Sequence, residues 1–194
     1  MDRRRALVTV GSALSLPLAG CVVEGEPVAG TTALSGPTRT TDGPETHLEF
    51  SRDGGTVATM SLLGRGFDSE DGAGRFRLSV SHDSDLRAER LRYRLRAPAG
   101  GLETAVDLYL QRPSGDTWPP ITFRQEDGPS RTLVEIEDLG RQGIGTVTLD
   151  FLGDTAAEVD GFDLTVDALA TFSGFGVGQF SASGVFEHRF GQNA

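Results

Sequence analysis

The chain of 194 residues contains one cysteine, Cys21, and no lysine, so all 18 of its basic residues are arginine. A single cysteine forms no intrachain disulfide, which excludes a disulfide-stapled scaffold. It also excludes iron–sulfur clusters and dithiol redox chemistry, because both need more than one thiol. Asparagine occurs once, at Asn193, so the chain has no Asn-x-Ser/Thr acceptor for N-linked glycans.

Positive charge is also scarce relative to negative charge. The 28 acidic residues outnumber the 18 arginines and give a formal net charge of −10. Binding to nucleic acid depends on neutralising phosphates with a basic face. We therefore expect no nucleic-acid partner.

The first 21 residues read MDRRRALVTVGSALSLPLAGC. A short cluster of three arginines precedes a modestly apolar run, residues 6–16, which Pro17 ends. This order is typical of an export signal. The run is too short for a membrane-spanning helix, which needs about 20 apolar residues. We predict that residues 1–20 are a signal peptide.

The end of this segment resembles the lipobox of bacterial and archaeal lipoproteins, through Leu18, Ala19, Gly20 and Cys21. The resemblance implies that Cys21 becomes the mature N-terminus and carries lipid on its sulfur. Two acyl chains, at about 0.8 kcal/mol per buried CH₂, hold a protein on a membrane far better than one.

Arg4 and Arg5 resemble the core of a twin-arginine export signal, which implies export of the folded protein. An arginine-only cluster also serves the general secretory route, and both routes stay open. Either route implies a lipid-anchored protein facing the cell exterior. If Cys21 carries lipid, it cannot also supply the thiolate of a blue-copper site.

Without residues 1–20 the chain has 15 arginines and 27 acidic residues, a net charge of −12. Strong acidity, absence of lysine and a lipobox behind paired arginines together resemble the exported lipoproteins of halophilic archaea. Acidic surfaces suit molar salt, where the Debye length of about 3 Å leaves like charges screened. The alternative is a lipoprotein from a GC-rich bacterium, whose codon bias also replaces lysine with arginine.

Residues 21–44 are rich in Gly, Pro, Thr and Ser without an apolar period, which predicts a flexible tether behind the lipidated cysteine. From residue 45 apolar and polar residues alternate, which is typical of half-buried antiparallel strands. We therefore predict an all-β fold, a single antiparallel β-sandwich of about ten strands over residues 45–194. The predicted strands are 48–52, 56–63, 75–82, 90–97, 104–111, 121–124, 132–137, 145–152, 160–172 and 180–190. The last two should form a hairpin turning at Ser173-Gly174.

Two sets of residues, the histidines and one acidic loop, are candidates for a metal site. His47, His82 and His188 lie on separate predicted strands, without the close spacing of a zinc site. Asp68, Glu70 and Asp71 share one glycine-rich loop and are weak calcium candidates, since calcium takes oxygen ligands from such loops. The loop does not follow the helix-loop-helix calcium pattern, so our prediction is no metal and no cofactor.

The most unusual local pattern is the arginine row, Arg90, Arg92, Arg94 and Arg96, which alternates with Leu91, Tyr93 and Leu95. It is either a patch for anions or acidic polysaccharide, or a set of cross-strand ion pairs. We favour the ion pairs, with partners such as Glu103 or Asp107 on the next strand.

The sequence thus indicates a membrane-anchored extracytoplasmic lipoprotein with a non-catalytic binding or structural domain. Its partners would be the membrane, through the lipid, and an envelope protein or glycan. The alternative is an enzyme that acts on envelope carbohydrate with a pair of carboxylates.

Overall fold

The computed structural model describes residues 28–99, 104–111, 118–126, 131–155, 159–174 and 178–191. These residues are almost entirely β-strand, with one short 3-10 helix at Gly140–Gly143. No helical segment among them has the length and apolar character that crossing a bilayer requires. The strands are β1 (Thr32–Ala33), β2 (Ser35–Asp42), β3 (Glu45–Arg52), β4 (Gly55–Asp68), β5 (Ala73–His82), β6 (Leu86–Arg96), β7 (Pro98–Ala99), β8 (Thr104–Gln111), β9 (Thr122–Gln125), β10 (Arg131–Ile136), β11 (Val147–Thr155), β12 (Gly161–Gly174) and β13 (Gly178–Gly191).

These strands form two sheets packed face to face, so the predicted all-β sandwich is confirmed. The first sheet has the order β2-β3-β4-β5-β11-β8, and the second has the order β1-β13-β12-β6-β10-β9. The short strand β7 pairs with both β12 and β8 and so links the sheets at one corner. Every pair is antiparallel except β1 with β13.

The core lies between the sheets because alternate residues of each strand are apolar and point inward. Leu91, Tyr93 and Leu95 of β6 are each no more than 2% exposed. In the first sheet Phe76 stacks on Phe151 across β5 and β11, with ring centroids 4.9 Å apart. Burial of this apolar surface is the main force that holds the sheets together.

The predicted tether at residues 21–44 is too long. Residues 32–42 form β1 and β2, which pair with β13 and β3. All eight side chains of β2 are exposed, so this edge strand is held by backbone hydrogen bonds and has no apolar period to reveal it. The folded domain therefore begins near residue 31 and not at residue 45.

The predicted hairpin of the last two long strands is confirmed. β12 and β13 pair along their whole lengths, from Gly161 opposite Gly191 to Gly174 opposite Gly178. Ser173 and Gly174 still belong to β12, so the connection comes later than predicted, after residue 174.

Candidate functional site: an arginine groove on the outer face of the second sheet

The arginine row lies on the outer face of the second sheet. Inward burial of the apolar residues of β6 directs Arg90, Arg92, Arg94 and Arg96 outward on the opposite face. Burial raises the pKa of Tyr93, which lies beneath the row, so its phenol stays neutral there.

Antiparallel pairing with β10 and β12 sets the neighbours of each arginine. Arg92 lies between Glu135 and Leu169, and Arg94 lies between Leu133 and Asp167. Arg96 lies between Arg131 and Thr165. The sheet therefore surrounds a row of cations with carboxylates, one further cation and two leucines.

Four strands, β10, β6, β12 and β13, frame a cavity of about 630 Å³ on this face, which we call the arginine groove. This volume lies within the range of about 300–1,000 Å³ typical of small-molecule sites. Its charged lining consists of four arginines and three carboxylates: Arg92, Arg94, Arg96, Arg131, Glu126, Asp167 and Glu187. Thr165, Leu169, Ser183 and Val185 line it as well. In a chain of net charge −10, this groove has an excess of positive charge.

The floor of this face is apolar. Leu133 and Leu169 belong to the outward-facing register, yet they are only 3% and 8% exposed. Each stands directly opposite an arginine, at the distance of about 4.5–5.5 Å between Cβ atoms at which cross-strand side chains meet. The aliphatic parts of arginine side chains can cover such leucines while their guanidinium groups stay in water.

Ion pairs bind part of the arginine row. Arg90 contacts Glu135 closely and lies 3.5 Å from Glu137. Looser pairs join Arg94 to Glu126 at 3.6 Å and Arg96 to Asp167 at 3.7 Å. The predicted cross-strand pairing is therefore partly confirmed.

The predicted partners of the row were wrong. Asp107 lies on β8, which leaves the second sheet at the β7 corner and pairs with β11 of the first sheet. The next long strand along the chain is thus not the next strand in the sheet. Glu103 lies outside the described residues.

Two groove arginines have no carboxylate partner among the described residues. No carboxylate among the described residues lies within 4.0 Å of the guanidinium of Arg92 or of Arg131, whereas Glu135, opposite Arg92, contacts Arg90 instead. An arginine presents a planar fork of N–H donors that matches a carboxylate, sulfate or phosphate. The groove can therefore bind an oxyanion without first breaking an ion pair.

The calcium candidates share one turn. Asp68 ends β4, and its Oδ1 accepts backbone N–H groups of Glu70 at 3.0 Å and Asp71 at 3.4 Å. This carboxylate closes its own turn. Across the ranges that the structure describes, no three His, Cys, Asp or Glu side chains group as metal ligands. The absence of a metal site, with these three residues as weak calcium candidates, stays a prediction.

The three histidines lie on separate strands, as predicted. His47 is on β3, and both ring nitrogens of His82, at the end of β5, lie 2.9 Å from carbonyl oxygens of Asp83 and Gly143. His188, on β13, is half-buried, and this burial lowers its pKa. The three histidines do not share one strand, and each has its own local contacts.

Residues of the export signal and lipobox, Arg4, Arg5, Leu18, Ala19, Gly20 and Cys21, lie outside the described residues. Their assignment stays a prediction.

Sequence reasoning found the arginine row and missed the rest of the groove. Arg131 and Asp167 reach it only through the pairing of β10 and β12 with β6, and Glu126 reaches it through the pairing of β9 with β10. Their strands are distant along the chain; Arg90 and its partner Glu135 are 45 residues apart. The available signal was the alternation within each strand, which indicates outward-facing residues but not which strands are neighbours.

Comparison with curated proteins finds no match. Among solved structures, the chain is similar to the collagen-binding domain from a Staphylococcus aureus adhesin, with 9% identity and a TM-score of 0.42, covering 68% of this chain and 95% of that one. It is similar to the S. aureus collagen adhesin with 6% identity and a TM-score of 0.33, covering 86% and 100%.

A third similar structure is the N-terminal periplasmic domain of ScsB from Proteus mirabilis. Identity is 12% and the TM-score is 0.33, covering 74% of this chain and 49% of that one. Likeness at this level is too weak to carry a functional argument. A family model does match most of the chain: residues 31–188 fit the family described as "Domain of unknown function (DUF8121)", and the protein belongs to that family.

Proposed function

We propose that this protein is a membrane-anchored extracytoplasmic lipoprotein whose β-sandwich is a non-catalytic binding module. The observation that carries the binding role is the arginine groove, which gathers four arginines in an otherwise acidic chain. Two of these arginines have no carboxylate partner among the described residues. A cation left free at an open cavity favours a ligand over a purely structural role.

The anchor rests on the lipobox residues 18–21 behind Arg4 and Arg5. The excess of acidic residues supports an origin in a halophilic archaeon, with the GC-rich bacterium as the alternative.

The alternative is an enzyme that acts on envelope carbohydrate with a pair of carboxylates. In the groove, two of the three carboxylates are engaged in ion pairs, Glu126 with Arg94 at 3.6 Å and Asp167 with Arg96 at 3.7 Å. This engagement favours the non-catalytic role.

The anchor is tested by replacing the lipidated atom. Full-length wild type should sediment with membranes of the producing cells, whereas Cys21→Ser should appear in the medium or retain its uncleaved signal peptide. Val23→Ser, a control just past the lipobox, should stay on the membrane and be cleaved normally. Membrane retention and cleavage of Cys21→Ser equal to wild type would contradict the lipoprotein assignment.

The binding role is tested on detergent-solubilised full-length protein incubated with membrane-free envelope material from the same cells. Wild type should co-sediment with this material, and Arg92→Glu should do so several-fold less. Envelope polysaccharide recovered afterwards should keep its length. Shortened polysaccharide would favour the enzymatic alternative, and absence of co-sedimentation would contradict a binding module.

A further inference from the structure

The groove contains an arginine, Arg92, that pairs with no carboxylate in the part of the chain that the structure describes. Arg92 points outward between Glu135 and Leu169, and Glu135 turns to Arg90. Ordinary sheet packing would offset the charge of Arg92 with the carboxylate opposite it. Here that carboxylate is already engaged, which leaves one guanidinium directed at the cavity.

A second feature of the groove disfavours the empty state. Arg96 and Arg131 stand directly opposite each other on β6 and β10. Like charges in directly opposite cross-strand positions are destabilising. Asp167 lies 3.7 Å from Arg96, but no described carboxylate pairs with Arg131. An anion placed between these two arginines would offset their repulsion.

The remaining lining narrows the class of anion. Glu126, Asp167 and Glu187 would repel a ligand that is anionic along its whole length, such as a run of acidic residues. The same carboxylates accept hydrogen bonds from hydroxyl groups, and Ser183 and Thr165 add hydroxyls that can donate or accept. A fitting ligand therefore combines spaced anionic groups with many hydroxyls.

The groove's dimensions agree with a short oligomer. From Arg92 to Arg96 the floor runs about 13 Å along β6, at about 3.3 Å per residue. Across the four strands from β10 to β13 it spans about 14 Å, at about 4.8 Å per strand spacing. A segment of a few linked rings fits this area better than a single small ion does.

We propose that the arginine groove binds an acidic oligosaccharide. This proposal rests on the binding role proposed above. Arg92 and the Arg96–Arg131 pair would hold two of its anionic groups. The groove's carboxylates and hydroxyls would take up the ring hydroxyls. Uronate carboxylates and sulfate esters share the oxyanion chemistry that arginine recognises, and the experiment separates them.

The test is calorimetric titration of detergent-solubilised full-length protein with a galacturonic acid tetrasaccharide, at one fixed salt concentration. Wild type should bind this tetrasaccharide. It should bind the fully methyl-esterified, uncharged tetrasaccharide at least tenfold more weakly. Arg92→Gln should lose at least tenfold in affinity. Arg75→Gln, which removes an exposed arginine from the outer face of the first sheet, should stay within twofold of wild type.

Two further titrations identify which kind of anionic ligand the groove prefers. Tighter binding of a sulfated tetrasaccharide would support the proposal with sulfate as the anionic group. Preference for a glutamate oligopeptide would overturn it in favour of a protein partner. Melting curves should show that Arg92→Gln is folded. If it is not, Arg131→Gln on β10 provides the same test.

No binding of either acidic sugar, or equal binding by wild type and both groove variants, would overturn the proposal. If co-sedimentation with envelope material persisted in that case, the binding module would stand and only the ligand class would fail. If co-sedimentation also disappeared, both proposals would fail.

Discussion

At the scale of single residues, glycines make room for aromatic rings in the core. Gly74 and Gly153 are cross-strand partners on the inner face of the first sheet. A Cβ at either position would lie 2.7–2.8 Å from ring atoms of Phe162, closer than carbon atoms pack. The ring of Phe162, which also stacks on Phe190 at 4.6 Å, therefore occupies space that only glycine leaves open.

Gly153→Ala should lower the free energy of unfolding by about 1–3 kcal/mol, the cost of overpacking a filled core. Gly55→Ala is the matched control, because its added Cβ meets nothing closer than the Arg52 carbonyl oxygen at 3.9 Å. Denaturant unfolding of both variants measures the difference. The double variant Gly153→Ala, Phe162→Leu should lose less free energy of unfolding than the sum of the losses of the two single variants. Additive losses would contradict a steric clash between the added Cβ at residue 153 and the Phe162 ring.

His188 gives the domain a pH dependence. Its ring packs against Phe190 at 4.6 Å and covers Gly64, and burial lowers its pKa from the ordinary 6.5. The folded state thus favours the neutral ring. The contribution of His188 to the free energy of unfolding is therefore fully present above pH 6.5 and is lost as the pH falls below this value, because the unfolded chain then binds a proton more readily than the folded state does.

Unfolding midpoints in urea at pH 7.5 and pH 5 should therefore differ, with lower stability at pH 5. His188→Leu should reduce that difference. A His188→Leu protein with the full pH dependence of wild type would show that other groups cause it.

At the scale of elements, sequence periodicity predicted the long strands and the side chains that each buries. It predicted the outward arginine row because Leu91, Tyr93 and Leu95 fill alternate positions. It did not reveal β2, whose side chains are all exposed. It also misplaced the row's partners, because strand neighbours depend on the β7 corner and not on chain order. The part of the groove that β10, β12 and β13 contribute was therefore out of reach of the sequence.

The central strands of the first sheet carry an ion pair of a different kind from those in the groove. Arg77 on β5 donates from Nε and Nη2 to the two carboxylate oxygens of Asp150 on β11, at 2.8 and 3.0 Å. These bonds lower the pKa of Asp150. Their contribution to the free energy of unfolding is therefore present above pH 3.8 and is lost as the pH falls below this value.

A double-mutant cycle of Arg77→Gln and Asp150→Asn should give a coupling of about 0.5–1 kcal/mol at pH 7, near the upper end for partly exposed pairs. Arg189 and Asp163 provide the comparison, because they lie 3.7 Å apart with side chains 64% and 65% exposed. Their cycle should give a coupling near zero. Equal couplings for the two pairs would contradict the role assigned to bidentate geometry.

At the scale of the whole molecule, net negative charge opposes folding. Residues 21–194 have a net charge of −12, and folding concentrates these like charges. At 0.01 M salt the Debye length of about 30 Å lets charges across the domain repel one another. At molar salt this repulsion is screened, while exposed ion pairs lose only about 0–1 kcal/mol each.

The detergent-solubilised protein should therefore melt at a higher temperature in molar KCl than in dilute buffer. Neutralising exposed acids in the triple variant Asp42→Asn, Asp53→Asn and Glu70→Gln should flatten this dependence. A melting temperature that stays constant or falls with salt would remove the physical basis for a halophilic origin and favour the GC-rich bacterium.

We propose that the anchored sandwich contacts the envelope through the arginine groove. Photo-cross-linking in intact cells can detect this contact, with a photoreactive residue at Val185 in the groove or at Ser79 on the outer face of the first sheet. We expect irradiation to link envelope material to the Val185 protein, with little adduct from Ser79, and Arg92→Glu to abolish the Val185 adduct. Equal adducts from both positions, or adducts from Ser79 alone, would contradict the claim.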